Sequence, residues 1–153
     1  MELLYRGTRD GSTSKKFHEK CDNQGPTICL YKNEKGNIFG GYADISWTTD
    51  GDCKSAPNCF IFTLTNIHET EPTKFPNCIT QYSVYHHINY GPSFGYYNDI
   101  AIYTDFLNSN SNSYFPSRYE DILGKGRSIF TGDLNNKNDI IKIIEIEVFK
   151  VFK

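Results

Sequence analysis

The chain has 153 residues, of which 38% are hydrophobic and 15% aromatic, and its formal net charge is −2. A chain of this length can bury a core of its own, so folding requires neither a metal nor disulfides, and we predict a single domain over residues 1–153. The small net charge and the scattered basic residues argue against a nucleic-acid-binding protein, which would carry a concentrated basic surface.

The cysteine pattern indicates a reducing compartment. The five cysteines are odd in number and irregularly spaced, as is typical of free thiols rather than of a disulfide framework. None of the 14 asparagines begins an N-glycosylation sequence, and no apolar run is long enough to cross a membrane. We therefore expect a cytoplasmic protein, with the nucleus as the alternative, that is neither secreted nor inserted in a membrane.

Residues 15–21 predict a short helix, because Phe17 and Cys21 fall on one helical face at a spacing of four. Gly25 and Pro26 follow it, and both are typical of the end of a helix. The helix therefore begins after a turn of small polar residues and ends before the first strand.

A β-hairpin follows, formed by strand 27–32, a five-residue loop and a second strand, 36–47. Gly40 and Gly41 lie in the middle of the second strand, where each glycine is unfavourable by roughly 0.5–1 kcal/mol relative to alanine. We expect another backbone or a large ring to approach closely at this point. The strand alternates in parity, and one face carries Phe39, Ala43, Ile45 and Trp47.

A second segment rich in glycine and aromatic residues, 94–103, has the same character as the first, and we predict that both form inner strands of the core. Segment 60–65 is a third strand, with Phe60, Phe62 and Leu64 on one face.

The rest of the chain up to residue 123 alternates strand-like and polar segments. Residues 79–90 have a composition that favours β-structure, and residues 66–76 form a connection. Residues 107–114 predict a mobile surface loop, and residues 119–123 predict one helical turn.

The last segment, residues 139–153, carries the clearest alternation of apolar and charged residues. The fourteen steps between its fifteen residues, if extended, would reach about 46 Å, too long for one flat strand. The alternation slips near residues 148–150, which predicts a bulge there. Before the slip, Ile144, Ile146 and Val148 lie on one face, opposite Glu145 and Glu147. Together these elements predict a mainly β domain: a two-sheet antiparallel β-sandwich flanked by one to three short helices.

The stretch Gly91-Pro92-Ser93-Phe94-Gly95 matches the pattern of a hydrolase nucleophile elbow. That motif requires a helix after the serine and a histidine later in the chain, whereas a β-like run follows Ser93 and all four histidines precede it. The pattern favours a turn that begins a strand, and a hydrolase using Ser93 is kept as an alternative.

Three other groups contain residue types that can carry out catalysis or bind a metal, but their arrangement does not match the pattern that such sites require. Glu145 and Glu147 share a strand face about 6–7 Å apart, which is compatible with paired-carboxylate catalysis, although solvated carboxylates are the simpler interpretation. A thiol-dependent antioxidant would need a basic environment around a cysteine. A zinc site would usually contain a C-x-x-C pair, which is absent, so we predict no metal and no cofactor. The residues considered for zinc are His18, Cys21, Cys53, Cys59, His86 and His87.

Taken in order, several stretches resemble the TLDc domain, in the form common in protists. They are Leu3–Gly11, Phe17–Asp22, Gly25–Thr27, Phe39–Tyr42, Phe60–Leu64, Gly91–Gly95 with Asn98–Ile100, and Ile144–Phe149. The residues that carry the resemblance are Arg6, Gly7, Arg9, Asp10, Gly11, Phe17, Cys21, Gly25, Pro26, Phe39, Gly40, Gly41, Trp47, Gly91, Phe94, Gly95, Asp99, Glu145 and Glu147.

The resemblance covers almost the whole chain and implies a β-sandwich, which agrees with the pattern of elements. It also implies a non-enzymatic module associated with resistance to oxidation, with binding to the vacuolar proton-pumping ATPase (V-ATPase) in several relatives. The residues that the resemblance carries over are structural, and none is catalytic. Segments 66–80 and 107–118 depart from the family pattern.

We therefore predict a protein-interaction module that acts as a monomer with a protein partner, among which V-ATPase subunits are candidates. The alternatives are an enzyme, either hydrolytic through Ser93 or thiol-dependent, and a stress-responsive nuclear factor that binds DNA.

Overall fold

The computed structural model describes residues 1–78, 80–95 and 98–152. Residues 79, 96, 97 and 153, which belong to the predicted segments 79–90, 94–103 and 139–153, lie outside the described part of the chain. No helix among the described residues is long and apolar enough to cross a membrane.

Short strands make up most of the described chain, and short helices flank them. The strands are β1 (Glu2–Arg6), β2 (Thr27–Asn33), β3 (Ile38–Ala43), β4 (Cys53–Lys54), β5 (Phe60–Thr65), β6 (Thr73–Pro76), β7 (Val84–Tyr85), β8 (Ser93–Phe94), β9 (Ser111–Asn112), β10 (Ile140–Ile141) and β11 (Ile143–Lys150). The helices are α1 (Gly7–Asp10), α2 (Ser14–Cys21) and α3 (Ser128–Thr131), and Thr80–Tyr82 forms a turn of 3-10 helix.

The strands form antiparallel sheets. The largest sheet has six strands in the order β1-β11-β2-β3-β5-β6, a second has three in the order β4-β7-β8, and β9 pairs with β10. The three-stranded sheet packs against the inner face of the six-stranded sheet where β8 meets β3. The predicted fold, a mainly β sandwich flanked by short helices, is therefore confirmed.

The hairpin of β2 and β3 forms as predicted, although β3 ends at Ala43 rather than at Trp47. Phe39 and Ala43 point into the core, and Trp47 is also fully buried beyond the strand end. The Trp47 indole donates a hydrogen bond of 2.9 Å to the Thr27 hydroxyl, which ties the chain after β3 back to the start of β2.

The two sheets approach each other closely at Gly41. A Cβ atom built at Gly41 would lie 2.5 Å from Cε2 of Phe94, well inside van der Waals contact. On the opposite face of β3, a Cβ atom at Gly40 would overlap the carbonyl oxygen of Cys29 and lie 2.7 Å from Cζ of Phe62. The predicted close approach at both glycines is therefore confirmed.

The second segment rich in glycine and aromatic residues, 94–103, is not one strand, and this prediction was wrong. β8 ends at Phe94, and Gly95 turns the chain with a φ of +86°. Phe94 and Ile100 exchange backbone hydrogen bonds of 2.8 and 3.1 Å across the turn. The segment folds back on itself because glycine adopts this positive φ without a steric penalty.

The C-terminal segment is not one flat strand, as its length predicted. It contains β10 and β11, and its bulge lies elsewhere than expected. The register of β11 on β2 shifts after Ile143, so Ile144 is the extra residue and its side chain points to solvent. The expected bulge near residues 148–150 is not in β11. It lies in the neighbouring strand β1, at Leu4.

Four local predictions between residues 66 and 123 need correction. The connection 66–76 contains β6, and the β-favouring segment 79–90 forms only β7 and a 3-10 turn in its described part. In the predicted loop 107–114, two serines are buried and β9 forms. Residues 119–123 form a bridge and a turn, and the helix α3 lies five residues later.

Helix α2 forms as predicted and carries a buried histidine that joins it to the loop after β7. His18 Nδ1 lies 2.7 Å from the Asp22 carboxylate, and Nε2 lies 2.9 Å from the carbonyl oxygens of both His87 and Tyr90. Both ring nitrogens face acceptors, so the geometry favours the doubly protonated ring. Burial alone would lower the pKa of His18, but Asp22 and the two carbonyls outweigh it, and the pKa is raised.

His86 behaves in the opposite way. Its Nδ1 accepts a hydrogen bond of 3.0 Å from the Thr48 backbone N–H, so the ring is neutral, and burial lowers its pKa to about 4. His86 therefore stabilises the fold above the unfolded pKa of about 6.5, and this contribution is lost as the pH falls toward 4.

We expect a Gly41→Ala variant to lose about 1–3 kcal/mol of unfolding free energy, because the new methyl group overlaps the Phe94 ring. In the double variant with Phe94→Leu, the smaller side chain leaves room for the methyl group, so the loss should be smaller than the sum of the single losses. Urea denaturation of the four proteins measures the coupling. Losses that add within about 0.5 kcal/mol would contradict the contact.

We expect the pH dependence of stability above pH 6 to contain a contribution from His18. Because its folded pKa is raised, the contribution is complete below the unfolded pKa of about 6.5 and is lost as the pH rises through the folded pKa. Urea denaturation of wild type and His18→Gln between pH 5.5 and 8.5 tests this. The difference in stability between them should shrink as the pH rises, and a constant difference would refute the ion-paired histidine.

Candidate functional site

The two ends of the chain meet at one corner of the six-stranded sheet. Strand β1 pairs with β11 so that Arg6 lies opposite Glu147, and α1 begins directly after β1. The turn into α1 brings Thr8 to Glu145 of β11. We call the resulting cluster the polar corner, and its members are Arg6, Thr8, Arg9, Asp10, Glu145 and Glu147.

Arg6 and Glu147 form the ion pair at the base of the polar corner. Arg6 donates from Nε and Nη2 to the same oxygen of Glu147, at 2.9 and 2.5 Å. The two side chains remain 42% and 26% exposed. Ion pairs this exposed contribute only about 0–1 kcal/mol, so the pair orients the corner more than it stabilises the fold.

Glu145 holds the first turn of α1. Its Oε1 accepts hydrogen bonds from the backbone N–H groups of Thr8, at 3.1 Å, and of Ile146, at 3.0 Å. Its Oε2 accepts a hydrogen bond from the Thr8 hydroxyl. The two predicted glutamates thus do lie on the same side of the strand, but each is bound to a different residue of the N-terminal segment.

Asp10 and Arg9 form the outermost part of the corner. Two nitrogens of the Arg9 guanidinium donate to the two oxygens of Asp10 at 2.8 Å each, and the Arg6 backbone N–H donates to Asp10 at 3.0 Å. The Arg9 guanidinium, with that N–H, lowers the pKa of Asp10 to about 2. Arg9 itself is 50% exposed, so a planar cation faces solvent in a fixed orientation.

Two buried contacts fix the corner to the core. Gly7 has no room for a side chain, because an added Cβ would lie 2.8 Å from Cε2 of Phe106. The Tyr5 hydroxyl donates to the carbonyl oxygen of Gly11, which closes the loop around α1. The corner is therefore a rigid, exposed arrangement of charges with a packed base.

Ser93 is a structural residue in this geometry. Its side chain is fully buried, and its hydroxyl accepts a hydrogen bond of 3.0 Å from the Ile102 N–H and donates one of 3.1 Å to the Gly91 carbonyl. The chain after Ser93 turns and does not form a helix. Among the described residues, no histidine is hydrogen-bonded to this hydroxyl.

The candidate metal ligands do not come together. Within residues 1–78, 80–95 and 98–152, no group of three or more His, Cys, Asp or Glu side chains is placed to hold a metal ion. Cys53 is half-buried, and burial raises its pKa to about 11. Burial also raises the pKa of the three fully buried thiols, Cys21, Cys29 and Cys59, and Cys78 is exposed.

The family model of the TLDc domain matches residues 1–152 of this chain. The chain belongs to the TLDc family. A curated relative is the MTOR-associated protein MEAK7 of Danio rerio, which is 31% identical over 62 residues. That match covers 40% of this chain and only 14% of the relative, so this TLDc chain matches a small part of a much longer protein.

The other signature residues of the TLDc domain make packing or hydrogen-bonding contacts within the fold. Asp99 is buried and accepts hydrogen bonds of 2.7–3.2 Å from the backbone N–H groups of residues 117–119. Burial raises its pKa to about 6, and the three N–H groups partly offset this shift. The Gly25 N–H donates to Ser46, and Pro26 accepts a hydrogen bond from Val151. Gly91 packs against Ile102. The signature residues that are fully buried in the core are Phe17, Cys21, Phe39, Trp47 and Phe94.

Two residues of the polar corner and its base were missed from the sequence. Thr8 lies within the signature stretch Leu3–Gly11, but nothing in the pattern showed that it binds a glutamate 137 residues away. Phe106 gave no signal, because it lies in a region without regular periodicity. The glycine at position 7 was the available hint, because glycine leaves room for a close neighbour.

We expect Ser93→Ala to lose about 1–3 kcal/mol of stability, because the buried Ile102 N–H then lacks an acceptor. Ser55→Ala, at an exposed serine, is the matched control and should change stability by less than about 0.5 kcal/mol. Urea denaturation measures both. Covalent labelling of Ser93 in the folded protein by a fluorophosphonate would show that the hydroxyl is a nucleophile and would contradict the structural role.

Proposed function

We propose that this TLDc domain is a non-enzymatic protein-interaction module that protects against oxidative stress, and that its partner is the V-ATPase. The observation that carries the proposal is the polar corner. It fixes exposed arginines on a packed base, with Arg6 at 42% and Arg9 at 50% exposure, and planar guanidinium groups of this kind are common anchors of protein interfaces.

The relative supports an interaction role in general terms. Its printed name describes MEAK7 as associated with MTOR, which is a statement about that protein. Proton-pump binding and resistance to oxidation are what the TLDc family implies, and we carry both to this chain as part of the proposal.

Two enzymatic alternatives have less support in the geometry. A hydrolase would need Ser93 accessible to substrate, and this hydroxyl is buried between two backbone groups. A thiol-dependent antioxidant would need an accessible thiolate, and burial raises the pKa of four of the five cysteines. Cys78 is the remaining thiol for that hypothesis, because it is exposed.

A DNA-binding nuclear factor is the third alternative. The polar corner contains two arginines and three carboxylates, so it does not offer a basic surface to phosphates. A gel shift at several salt concentrations distinguishes this alternative, because phosphate contacts weaken steeply with salt.

We expect V-ATPase subunits to co-purify with the tagged domain under native conditions. Because Arg9 is the most exposed cation of the corner, Arg9→Gln should reduce their recovery by about tenfold, equivalent to about 1.4 kcal/mol of binding. Mass spectrometry of the purified material measures recovery. Lys15→Gln removes one exposed positive charge from α2 and is the matched control, for which recovery should be unchanged.

Absence of the pump from wild-type material would remove this partner. Equal recovery with Arg9→Gln would instead move the interface away from the polar corner.

A Cys53→Ser, Cys78→Ser variant addresses the thiol hypothesis. Cells that express this variant should survive peroxide as well as cells that express wild type. Loss of protection by a stably folded variant would favour the thiol-dependent enzyme.

A further inference from the structure

One buried side chain of helix α2 contacts two carbonyl groups of the loop between β7 and β8. We call residues 87–90 of this loop the latch loop. His18 Nε2 lies 2.9 Å from the carbonyl oxygens of both His87 and Tyr90, while Nδ1 lies 2.7 Å from the Asp22 carboxylate. His18 is only 5% exposed, so these contacts are largely shielded from water.

The two sets of contacts require a proton on each nitrogen of the His18 ring. Carboxylate and carbonyl oxygens only accept hydrogen bonds, so a ring nitrogen without its proton presents a lone pair to another lone pair. The imidazolium supplies both N–H groups, whereas the neutral ring has only one. One of the two contacts is therefore lost when His18 loses a proton.

The contact with the latch loop is the one that the neutral ring gives up. The Asp22 carboxylate carries a full negative charge and the two carbonyl oxygens carry only partial charges, so the remaining proton is held more strongly at Nδ1. The lone pair on Nε2 then faces two carbonyl oxygens at 2.9 Å. The resulting repulsion pushes the latch loop away from α2.

The latch loop, rather than α2, is the part that can move. Helix α2 is anchored by Phe17 and Cys21, which are fully buried in the core. In the latch loop, Ile88 is 43% exposed and Asn89 is also exposed. Within the described part of the chain, the other hydrogen bond from α2 to this loop runs from the Ser14 hydroxyl to the Ile88 carbonyl. It joins two neutral groups and is weaker than a charge-assisted bond.

We propose that His18 is a pH-sensitive latch, which holds residues 87–90 against α2 while its ring is doubly protonated and releases them when Nε2 loses its proton. The pKa of His18, raised by Asp22 and the two carbonyls against the effect of burial, gives the direction. The latch is closed below the unfolded pKa of about 6.5 and opens as the pH rises through the folded pKa. The inference goes beyond the proposed function, because the latch loop is not part of the polar corner.

Among the described residues, the titratable side chains that interact with His18 are Asp22 and His86. Burial, together with a smaller effect of the charge on His18, lowers the pKa of His86 to about 4, so that ring is neutral over the range in which the latch acts. His87 contributes its backbone carbonyl, and its ring packs against two tyrosines instead. The titration of the latch therefore belongs to His18 and Asp22.

Release of the latch loop changes an aromatic surface. The Tyr90 ring packs between those of Tyr85 and Tyr103, at centroid distances of 4.9 and 5.1 Å, and all three side chains are half-exposed. Because the Tyr90 carbonyl is one of the two groups that His18 holds, opening displaces this ring from the cluster. The closed and open loops therefore present different surfaces to solvent.

The test is NMR spectroscopy of the whole domain between pH 5.5 and 8.5. The nitrogen-15 shifts of the His18 ring should show that Nε2 loses its proton and that Nδ1 keeps it. The Gly91 N–H reports on the loop, because it shares a peptide group with the Tyr90 carbonyl and donates a hydrogen bond of 2.8 Å to the Ile102 carbonyl.

Protection of the Gly91 amide from hydrogen exchange, corrected for the intrinsic rate, should fall about tenfold across the His18 titration. A factor of ten corresponds to a difference of about 1 between the pKa values of the ring in the closed and the open loop. Amides of β2 and β3 should keep their protection, because the core stays closed.

Three variants separate the latch from other titrations. His18→Gln should abolish the transition at Gly91, because a glutamine side chain does not titrate in this range. His87→Gln is the matched control: it removes the histidine of the latch loop itself and should leave the transition in place. Asp22→Asn should move the midpoint to lower pH, because the carboxylate no longer favours the doubly protonated ring.

Several results would overturn the proposal. Constant protection of Gly91 while His18 titrates would show that the loop does not respond to the ring. A transition that persists in His18→Gln would assign it to another group. A His18 ring that stays doubly protonated up to pH 8.5, or that loses the proton from Nδ1, would remove the latch. Loss of protection in β2 and β3 at the same midpoint would mean that the whole domain opens.

Discussion

The contact between Gly41 and Phe94 sets the distance between the two sheets. The ring of Phe94 occupies the space where any other residue at position 41 would place its Cβ, so the strands carrying them approach more closely than side chains normally allow. Trp47 packs edge-on against the same ring, at a centroid distance of 5.6 Å, and Tyr119 contacts it from another side. The conformational cost of a glycine within a strand is thus offset, because the missing side chain permits dense packing of aromatic rings in the core.

This core determines where polar groups can lie. The hydroxyl of Ser93 and the carboxylate of Asp99 lie beside it and are fully buried, so each must be satisfied by backbone groups, and both are. Groups used in this way are not accessible to a substrate. Accessible charges lie instead on surfaces such as the polar corner, to which β11 contributes Glu145 and Glu147. The surfaces available for function therefore follow from how tightly the inside is packed.

The sequence predicted those parts of the fold that depend on local periodicity or on glycine. Helix α2, the hairpin of β2 and β3, and the close approach at Gly40 and Gly41 all follow from spacing and from the absence of a side chain. The turn at Gly95 was missed because glycine allows a strand and a positive φ equally, and only tertiary contacts decide between them. The two-residue strand β9 was missed for a related reason, since a pair of residues has no detectable period and is held by its neighbours.

In the candidate site, too, the sequence identified residues but not their arrangement. Each residue of the polar corner except Thr8 was singled out from the sequence, but their convergence was not derivable, because it depends on β11 inserting between β1 and β2. That insertion joins residues 6 and 147, which no local pattern connects. It also explains why the two glutamates of β11 have different partners. A strand with neighbours on both sides presents its outward side chains to two different environments, so Glu147 is bound by the arginine of β1 and Glu145 by the helix that follows it.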